Sequence, residues 1–328
     1  MKPFVYERVG GPSAAVATST LPGATYLAGG TNLVDLMKLG VTAPDLLVDV
    51  SDLPYGQIEP LPDGGLRIGA LATNSEVAAD PVVRSRFPAL SLALLSGASG
   101  QLRNRATVGG NLMQRTRCLY FQDITKPCNK REPGAGCSAR EGVHHDLAIL
   151  GASEHCIATN PSDMAVALAM LDASVELIGP HGPATIALRQ LYRLPGDEPD
   201  RDTTLPPGTL ITGVLVPPLP FAAHSTYRKV RDRASYAFAA GSIAAALDVA
   251  DGVVRDVRLA FGAVAHVPWR ARRTEQALRG VPATAQQFRR AADEELAYAQ
   301  PLRDNAYKVP LMRNLTVGVL SALAEVSR

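Results

Sequence analysis

The four cysteines of this 328-residue chain all lie in one stretch, between residues 118 and 156. They are Cys118, Cys128, Cys137 and Cys156, separated by nine, eight and eighteen residues. The stretch contains several glycines and prolines and shows no sustained helical or strand periodicity. Unrelated core thiols would be scattered along the chain. The clustering therefore predicts an irregular loop that folds around something the cysteines bind.

Three kinds of cysteine site fit this spacing to different degrees. Structural zinc sites normally contain a cysteine pair about two to four residues apart, and this chain has none, although His144, His145 and His155 lie nearby. Two disulfides are an alternative in an oxidising compartment. A four-iron cluster takes four thiolates and is large enough to be held by a winding loop. An iron–sulfur cluster is the leading interpretation of the spacing. A zinc site, two disulfides and cysteines without any function remain alternatives.

Basic residues are frequent in the same segment. They could offset the negative charge of a thiolate-ligated cluster, but an ordinary solvated loop is the more common reason for such charges. The residues are Arg115, Arg117, Lys126, Lys130, Arg131 and Arg140.

Composition is that of an ordinary globular protein, with 46% hydrophobic residues, 20% charged residues and a net charge of +2. The small net charge argues against nucleic acid as a partner. The N-terminus lacks the basic and apolar regions of a signal peptide, and no apolar run reaches the ~18–20 residues that span a bilayer. We expect no membrane span and no export signal in the chain itself.

The order of patterns along the chain predicts an α+β protein with two domains. The segment "TNLVDLMKLG" predicts a helix with Thr31 as its N-cap and Gly40 as its C-terminal stop. A proline-rich connection over residues 194–220 marks the approach to a domain boundary. Beyond it, two strand-like runs flank Asp251 and Gly252, a strong hairpin signal, and helical segments follow.

Two glycine turns are candidate sites for a diphosphate. "AGGTNL", residues 28–33, places Gly29 and Gly30 where a strand passes into a helix, so that a ligand can approach the main chain. "TVGGN", residues 107–111, repeats the theme. Neither matches the dinucleotide fingerprint or the Walker A pattern, and a single glycine turn is more often structural. The pair favours an extended cofactor that contains a diphosphate.

Five motifs in order resemble one family, the FAD-binding middle subunits of molybdenum hydroxylases, which include xanthine and carbon monoxide dehydrogenases. The motifs are "LAGGTNLVDLMK", "GALAT", "ASGQLRNRATVGGNLMQRTRC", "ATNPSDMAVALAMLDA" and "YRKVRDRASYAFA". The resemblance implies a two-part FAD-binding domain of the vanillyl-alcohol-oxidase type over residues 1–222. It also implies a C-terminal domain of three antiparallel strands with helices over residues 223–328.

The resemblance also implies the FAD contacts. The first turn would wrap the diphosphate, "TVGGN" would form a second loop, and "NPSD" and "YRKV" would each supply one residue near the cofactor. The residues are Thr25, Tyr26, Leu27, Ala28, Gly29, Gly30, Thr31, Asn32, Leu33, Thr107, Gly110, Asn111, Asp163 and Lys229. The aromatic expected near the flavin in some relatives stays open among Tyr192, Tyr227 and Tyr236.

The cysteine segment distinguishes this chain from most of that family. It is similar to the insertion in the branch of aldehyde oxidoreductase FAD subunits, which carries an extra [4Fe–4S] cluster. On that resemblance we expect the insertion to span residues 115–157 and all four cysteines, Cys118, Cys128, Cys137 and Cys156, to be iron ligands.

The function implied by the resemblance is electron transfer inside a heterotrimer. A large partner would hold the molybdenum cofactor and oxidise an aldehyde to a carboxylic acid, and a small partner would carry two [2Fe–2S] clusters. This chain would pass electrons through FAD and the cluster to an external acceptor, in keeping with a sequence that shows no catalytic constellation of its own. It would be cytoplasmic, or periplasmic by export with a partner.

Three other functions stay open at this stage. They are the flavoprotein subunit of a hydroxybenzoyl-CoA reductase-like enzyme, a stand-alone flavin oxidase, and a zinc-stabilised binding module without flavin.

Overall fold

In the computed structural model, which describes residues 1–326, the strands form three separate sheets. The strands are β1 Val5–Arg8, β2 Ala24–Leu27, β3 Leu46–Asp49, β4 Ile58–Pro60, β5 Leu66–Gly69, β6 Ser174–Gly179, β7 Gly182–Ala187, β8 Leu210–Val216, β9 Ser225–Val230, β10 Gly241–Ala250, β11 Val253–Gly262 and β12 Trp269–Arg270. The helices are α1 Pro12–Ser19, α2 Leu33–Lys38, α3 Asn74–Ala79, α4 Pro81–Arg86, α5 Pro88–Ser96, α6 Gly100–Arg103, α7 Val108–Leu112, α8 Leu119–Gln122, α9 Ser138–Glu141, α10 Asp163–Met170, α11 Leu188–Leu191, α12 Arg272–Leu278, α13 Ala285–Leu296 and α14 Lys308–Val326.

The first sheet is small and parallel, in the order β1-β3-β2. Parallel neighbours need crossover connections, and α1 and α2 supply them. The central strand β3 buries Leu47 and Val48. This arrangement places the first glycine turn at the carboxyl end of β2, directly before α2.

The second sheet has five antiparallel strands in the order β4-β5-β8-β6-β7. Its central strands bury alternate residues such as Leu66, Ile68, Val214 and Val216, as expected for a sheet with one face in the core. Strand β8 lies within the proline-rich connection and pairs with β5, far earlier in the chain. That pairing brings the connection beside the glycine turns.

The third sheet forms the C-terminal domain, and it confirms the three antiparallel strands with helices implied by the resemblance. Strands β9, β10 and β11 pair as expected, and the two-residue strand β12 adds a short edge. The hairpin is at Asp251 and Gly252, whose φ angles of 53° and 75° are those of a two-residue type I′ turn. Helix α14 packs on β10, and α10 packs on β10 and β11.

The cysteine segment contains almost no regular structure, as its sequence predicts. Between α7 and α10 the chain forms only the single-turn helices α8 and α9. The segment is nevertheless packed, because Phe121 and Ile157 join the cysteines and Leu36 of α2 in a buried cluster of its own. The loop is therefore a small separate core rather than a solvated excursion.

Helix α14 is long and apolar enough, by length and composition alone, to cross a bilayer, and it is the one such helix among residues 1–326. Its buried side, including Met312, Leu320 and Leu323, belongs to the core of the C-terminal domain. A core helix passes the same test, so this feature gives only weak support to a membrane span.

The start of α2 differs from the sequence prediction. Asn32, not Thr31, is the N-cap residue, and its side chain makes no capping hydrogen bond. The Asn32 Oδ1 atom instead accepts a hydrogen bond from the backbone N–H of Arg115, 83 residues later. The predicted stop is confirmed, since Gly40 has a φ of +74° and directly follows the C-cap residue Leu39.

Candidate cofactor sites

A cavity of about 320 Å³ lies between the two glycine turns. Most of the residues predicted to bind FAD line it. They are Thr25, Tyr26, Ala28, Gly29, Gly30, Thr31, Asn32, Leu33, Thr107 and Gly110. The tertiary structure thus brings together two turns that are about 80 residues apart in the sequence. We call this space the glycine-turn cavity.

The first turn needs its glycines for two different reasons. A Cβ atom on Gly29 would lie 2.1 Å from the carbonyl oxygen of Arg105, which precedes the second turn. Gly30 adopts a φ of +74°, a backbone conformation that favours glycine. Because these glycines have no side chains, the two turns can approach each other. The main chain is then exposed directly to the cavity at these positions.

Asn32 presents a buried polar group to this cavity. Its Oδ1 atom is occupied by the Arg115 N–H at 2.9 Å, whereas its buried Nδ2 atom has no hydrogen-bond partner among the described residues. An unpaired buried donor costs free energy unless a ligand satisfies it. Asn32 is therefore suited to donate to a ligand oxygen.

The second turn is the start of helix α7. Thr107 caps it by accepting a hydrogen bond from the Gly110 N–H at 3.3 Å. Asn111 does not line the cavity; its Oδ1 atom accepts a 2.7 Å hydrogen bond from the hydroxyl of Ser162. Ser162 is in turn the N-cap of α10. The second turn is thereby tied to the helix that begins at Asp163.

Asp163 and Lys229 form a buried ion pair away from the glycine-turn cavity. Lys229 Nζ lies 2.8 Å from Asp163 Oδ2, and the Tyr227 hydroxyl donates to Asp163 Oδ1 at 2.5 Å. Burial first, and the Asp163 carboxylate second, raise the pKa of Tyr227 well above its ordinary value. Lys229 also donates to the Ser96 carbonyl at 3.1 Å. The predicted pair is thus brought together, but neither it nor Leu27 lines the cavity.

The four cysteines surround a second, small cavity of about 10 Å³, which we call the cysteine cavity. All four thiols are free, so neither disulfide of the alternative reading forms. Among residues 1–326, no group of three or more His, Cys, Asp or Glu side chains is placed to hold one metal ion. The chemistry that this cavity offers is that of its four sulfur atoms.

Asn129 connects three cysteine-bearing parts of the loop. Cys128 and Cys137 pair as an isolated antiparallel bridge. Asn129 Oδ1 accepts from the Gly136 N–H at 2.7 Å, and its Nδ2 donates to the His155 carbonyl at 3.0 Å. Because each contacted residue adjoins a cysteine, Asn129 fixes three thiols relative to one another.

Two basic residues of the segment also serve the fold of the loop. Arg131 Nη1 donates to the carbonyls of Tyr120 and Phe121 at 2.6 and 2.7 Å. Lys130, with a side chain only 2% exposed, donates to the Pro199 carbonyl at 2.6 Å and pairs with Asp202. These charges are internal ties and not an ordinary solvated surface.

Burial favours the protonated form of two of the thiols, Cys118 and Cys156. Burial raises the pKa of Cys156 to about 12, and burial also raises the pKa of Cys118. A metal centre bonded to these sulfurs would have to displace their protons. The cavity is therefore unsuited to a reactive free thiolate.

A third cavity of about 480 Å³, the connecting cleft, lies between the other two. It shares Met113, Arg115 and Leu205 with the glycine-turn cavity and Lys130 with the cysteine cavity. Asp202 sits between its two cations: Arg115 Nε lies 2.7 Å from Asp202 Oδ2, and Lys130 pairs with Oδ1. The two sites are thus joined by this cleft and by a single ion-pair network.

Tyrosine placement narrows the aromatic candidates. Tyr192 lines the connecting cleft, with its hydroxyl donating to the Leu112 carbonyl at 3.0 Å. Tyr227 is held by Asp163, and Tyr236 is 56% exposed. Tyr192 is therefore the one of the three that borders space continuous with the glycine-turn cavity.

Sequence reasoning missed Asn129, Asp202 and His266. His266 is buried and lines the connecting cleft, and its Nε2 atom lies 3.3 Å from the Cys156 sulfur. Burial first, and Lys130 second, lower the pKa of His266 to about 3, so the ring is neutral. No motif marks these residues: Asp202 and His266 act on partners at least 72 residues away, and Asn129 acts inside a loop without regular structure.

Comparison with known proteins gives two family matches that together span most of the chain. Residues 10–219 match the FAD binding domain in molybdopterin dehydrogenase, and residues 225–323 match the CO dehydrogenase flavoprotein C-terminal domain. The chain is 49% identical over 323 residues to the aldehyde oxidoreductase FAD-binding subunit PaoB of Escherichia coli K12, covering 98% of both chains.

Solved structures agree on the fold. A chain of quinoline 2-oxidoreductase from Pseudomonas putida 86 superimposes with a TM-score of 0.76 at 21% identity, covering 99% of this chain and 98% of that one. A chain of CO dehydrogenase from Oligotropha carboxidovorans gives a TM-score of 0.77 at 21% identity, covering 98% of each. With the family matches to both domains, these similarities show that the chain belongs to the FAD-binding subunits of the molybdenum hydroxylases.

Proposed function

We propose that this chain carries a [4Fe–4S] cluster as well as FAD and transfers electrons within a heterotrimeric, molybdenum-dependent aldehyde oxidoreductase. The observation that carries the proposal is the convergence of Cys118, Cys128, Cys137 and Cys156 on one cavity, within a family that binds FAD. FAD supplies two-electron chemistry and the cluster one-electron chemistry. The chain's own residues bind and position both groups.

The glycine-turn cavity fits the diphosphate-bearing part of FAD. Bare main chain at Gly29 and Gly30 allows close approach, and the unpaired Asn32 Nδ2 is a donor for an anionic oxygen. Helix α2 has only six residues, so little of the attraction comes from a helix dipole. Recognition therefore rests on main-chain approach and on Asn32. Tyr192 is our assignment for the aromatic nearest the flavin, because it borders the connecting cleft.

The cysteine cavity fits a cluster by its donor chemistry. Four thiols line one cavity, and no group of three or more His, Cys, Asp or Glu side chains is placed to hold a single ion among residues 1–326. A single zinc ion draws its ligands onto one centre, whereas each thiolate of a four-iron cluster bonds a different iron. Four cysteines around one cavity, without a closely spaced cysteine pair in the sequence, support the cluster over the zinc-stabilised module. Asn129 and Arg131 would hold the loop in the shape that ligation requires.

The connecting cleft supports electron exchange between the two cofactors. It shares Arg115 with the glycine-turn cavity and Lys130 with the cysteine cavity. A short separation between redox centres is what electron transfer requires. We therefore place FAD and the cluster on one electron path inside this chain.

Substrate class and partners come from the relatives. The PaoB chain, 49% identical over its length, is by its name part of an aldehyde oxidoreductase. We infer that a large subunit with the molybdenum cofactor oxidises an aldehyde, and that a small subunit with [2Fe–2S] clusters delivers the electrons here. An external acceptor would then take them from this chain.

The proposal is tested on the assembled complex by flavin, iron and sulfide analysis together with the absorption spectrum. Wild type should contain FAD and, on this subunit, about four iron atoms. Cys128→Ser should lose that iron and keep its FAD. Leu119→Ser is the matched control, since Leu119 is exposed in the same loop and its replacement should leave the iron in place.

Two results would contradict the proposal. One is a wild-type complex in which the iron is fully accounted for by the small subunit. The other is a Cys128→Ser complex with all its iron, which would remove Cys128 from the ligand set. Stoichiometric zinc on this chain would revive the zinc-stabilised alternative.

A further inference from the structure

His266 reaches the cysteine cavity from a different domain. It lies in the connection between β11 and β12 of the C-terminal domain, whereas Cys156 belongs to the insertion of the FAD-binding domain. The two residues are 110 positions apart, and Nε2 of His266 is 3.3 Å from the Cys156 sulfur. That distance is within hydrogen-bonding range for a sulfur acceptor.

The backbone that carries His266 is fixed on several sides. Lys308, fully buried, donates to the Ala263 carbonyl at 2.8 Å. The Asn160 N–H donates to the Ala265 carbonyl at 2.9 Å, and the N–H groups of Ile149 and Leu150 both donate to the Val264 carbonyl at 2.9 Å. The main chain before His266 is therefore held in place, and the buried imidazole is enclosed by its surroundings.

The surroundings of the ring select one tautomer. The Nδ1 atom is buried and has no partner among the described residues. A proton on Nδ1 would leave a buried N–H unsatisfied and turn the Nε2 lone pair towards the sulfur. A proton on Nε2 makes the one hydrogen bond that the site offers. His266 accordingly donates Nε2–H to Cys156 Sγ.

We propose that His266 is a positioning residue for the Cys156 thiolate and raises the reduction potential of the [4Fe–4S] cluster through this hydrogen bond. This inference rests on the proposed function, because it needs the cluster. Reduction adds one electron to the cluster and increases the negative charge on its sulfurs. A donor aimed at one of those sulfurs stabilises the reduced state more than the oxidised state.

The position of the bond gives it a role in the direction of electron flow. His266 also lines the connecting cleft, so its contact lies where the cysteine cavity meets the path to FAD. Raising the cluster potential favours electrons moving from FAD to the cluster. The C-terminal domain would thus bias an electron path whose two ends both lie in the other domain.

The experiment is a redox titration of the complex, followed by electron paramagnetic resonance of the reduced cluster. Iron and sulfide are measured on every sample. His266→Leu removes the hydrogen-bond donor and should make the midpoint potential of the cluster more negative. A tenfold change in the ratio of oxidised to reduced cluster corresponds to a shift on the order of 59 mV. His266→Gln keeps an N–H and should stay nearer to wild type. His181→Leu, at an exposed histidine, should have no effect.

The outcomes separate the two proposals. A wild-type chain without cluster iron overturns the proposed function. A His266→Leu chain with full iron and an unchanged midpoint overturns only the role of His266. If the leucine variant loses its iron, wild-type protein labelled with ¹⁵N at histidine gives a second measurement. A ¹⁵N coupling to the reduced cluster that survives His155→Leu supports the hydrogen bond, and its absence contradicts it.

Discussion

The glycine-turn cavity and the cysteine cavity are built by opposite means. The first stands at the ends of regular elements, with β2 leading into α2 and Thr107 capping α7, and it is open at about 320 Å³. The second stands in a loop with two single-turn helices and leaves about 10 Å³. The glycine-turn cavity offers main chain that a ligand can approach closely, whereas the cysteine cavity offers sulfur atoms that can bond a metal centre.

This difference indicates, for each site, whether the protein fold shapes the cofactor site or the cofactor stabilises the fold around it. Sheet pairing and helix packing frame the glycine-turn cavity. The cysteine loop has no such frame, so side-chain ties such as those of Asn129 and Lys130 must hold it. We expect the proposed cluster to contribute to the stability of its loop, whereas FAD adds little to the fold around it.

The largest effect is expected at the ion-pair network of Arg115, Asp202 and Lys130, because it joins the two sites. Asp202→Asn would leave the buried Lys130 and the partly buried Arg115 without their shared carboxylate. Removing one partner of a buried pair costs about 3–5 kcal/mol. We expect lower resistance to denaturant and loss of both FAD and iron, since the network joins both sites. Denaturant unfolding with cofactor analysis measures this.

Asp200→Asn is the control, because Asp200 is exposed and its carboxylate makes no ion pair within residues 1–326.

Burial acts to raise the pKa of Asp202, but Lys130 and Arg115 outweigh it and the pKa is lowered. The contribution of Asp202 is thus present above the ordinary pKa of about 3.9 and lost as the pH falls through the lower, folded-state value. A wild type to Asp202→Asn difference that grows in acid would contradict the assignment.

Gly29→Ala tests the glycine-turn cavity alone. The new Cβ would lie 2.1 Å from the Arg105 carbonyl oxygen, so the two turns must separate. Overpacking of this kind costs about 1–3 kcal/mol, and a loss of that size in binding free energy corresponds to a roughly 5- to 150-fold weaker FAD affinity. The iron content should not change. Titration of the FAD-depleted complex with FAD gives the affinity.

Gly56→Ala is the matched substitution, because a Cβ there meets no atom within 4 Å. If Gly29→Ala bound FAD as wild type does, the contact between the turns would not govern the site.

Asn129→Ala tests the cysteine loop alone and should have the smallest effect. It removes the side-chain hydrogen bonds to Gly136 and His155, at about 1–2 kcal/mol in total. We expect faster release of iron to a chelator with unchanged FAD content, followed by absorbance. Asn104→Ala, at an exposed helix end, is the control. Equal iron release from both variants would show that Asn129 does not hold the loop.

Local patterns in the sequence predicted the parts of the molecule that depend on short-range rules. Gly40 ends α2, and Asp251 with Gly252 forms the hairpin, because turn chemistry acts over a few residues. Thr31 was the wrong N-cap for the opposite reason. The side chain of Asn32 is engaged by Arg115, 83 residues away, and no local rule reveals such a partner.

The sequence by itself determined the family, because its five ordered motifs are confirmed by family matches over both domains, and its four clustered cysteines supplied the predicted donor set. Only the tertiary structure decided how the sites relate. The β5–β8 pairing returns the proline-rich connection so that Asp202 meets Arg115 and Lys130, and the C-terminal domain delivers His266 to Cys156. These contacts join residues 72 to 110 positions apart. Packing of whole elements sets such distances, and local sequence patterns carry no record of them.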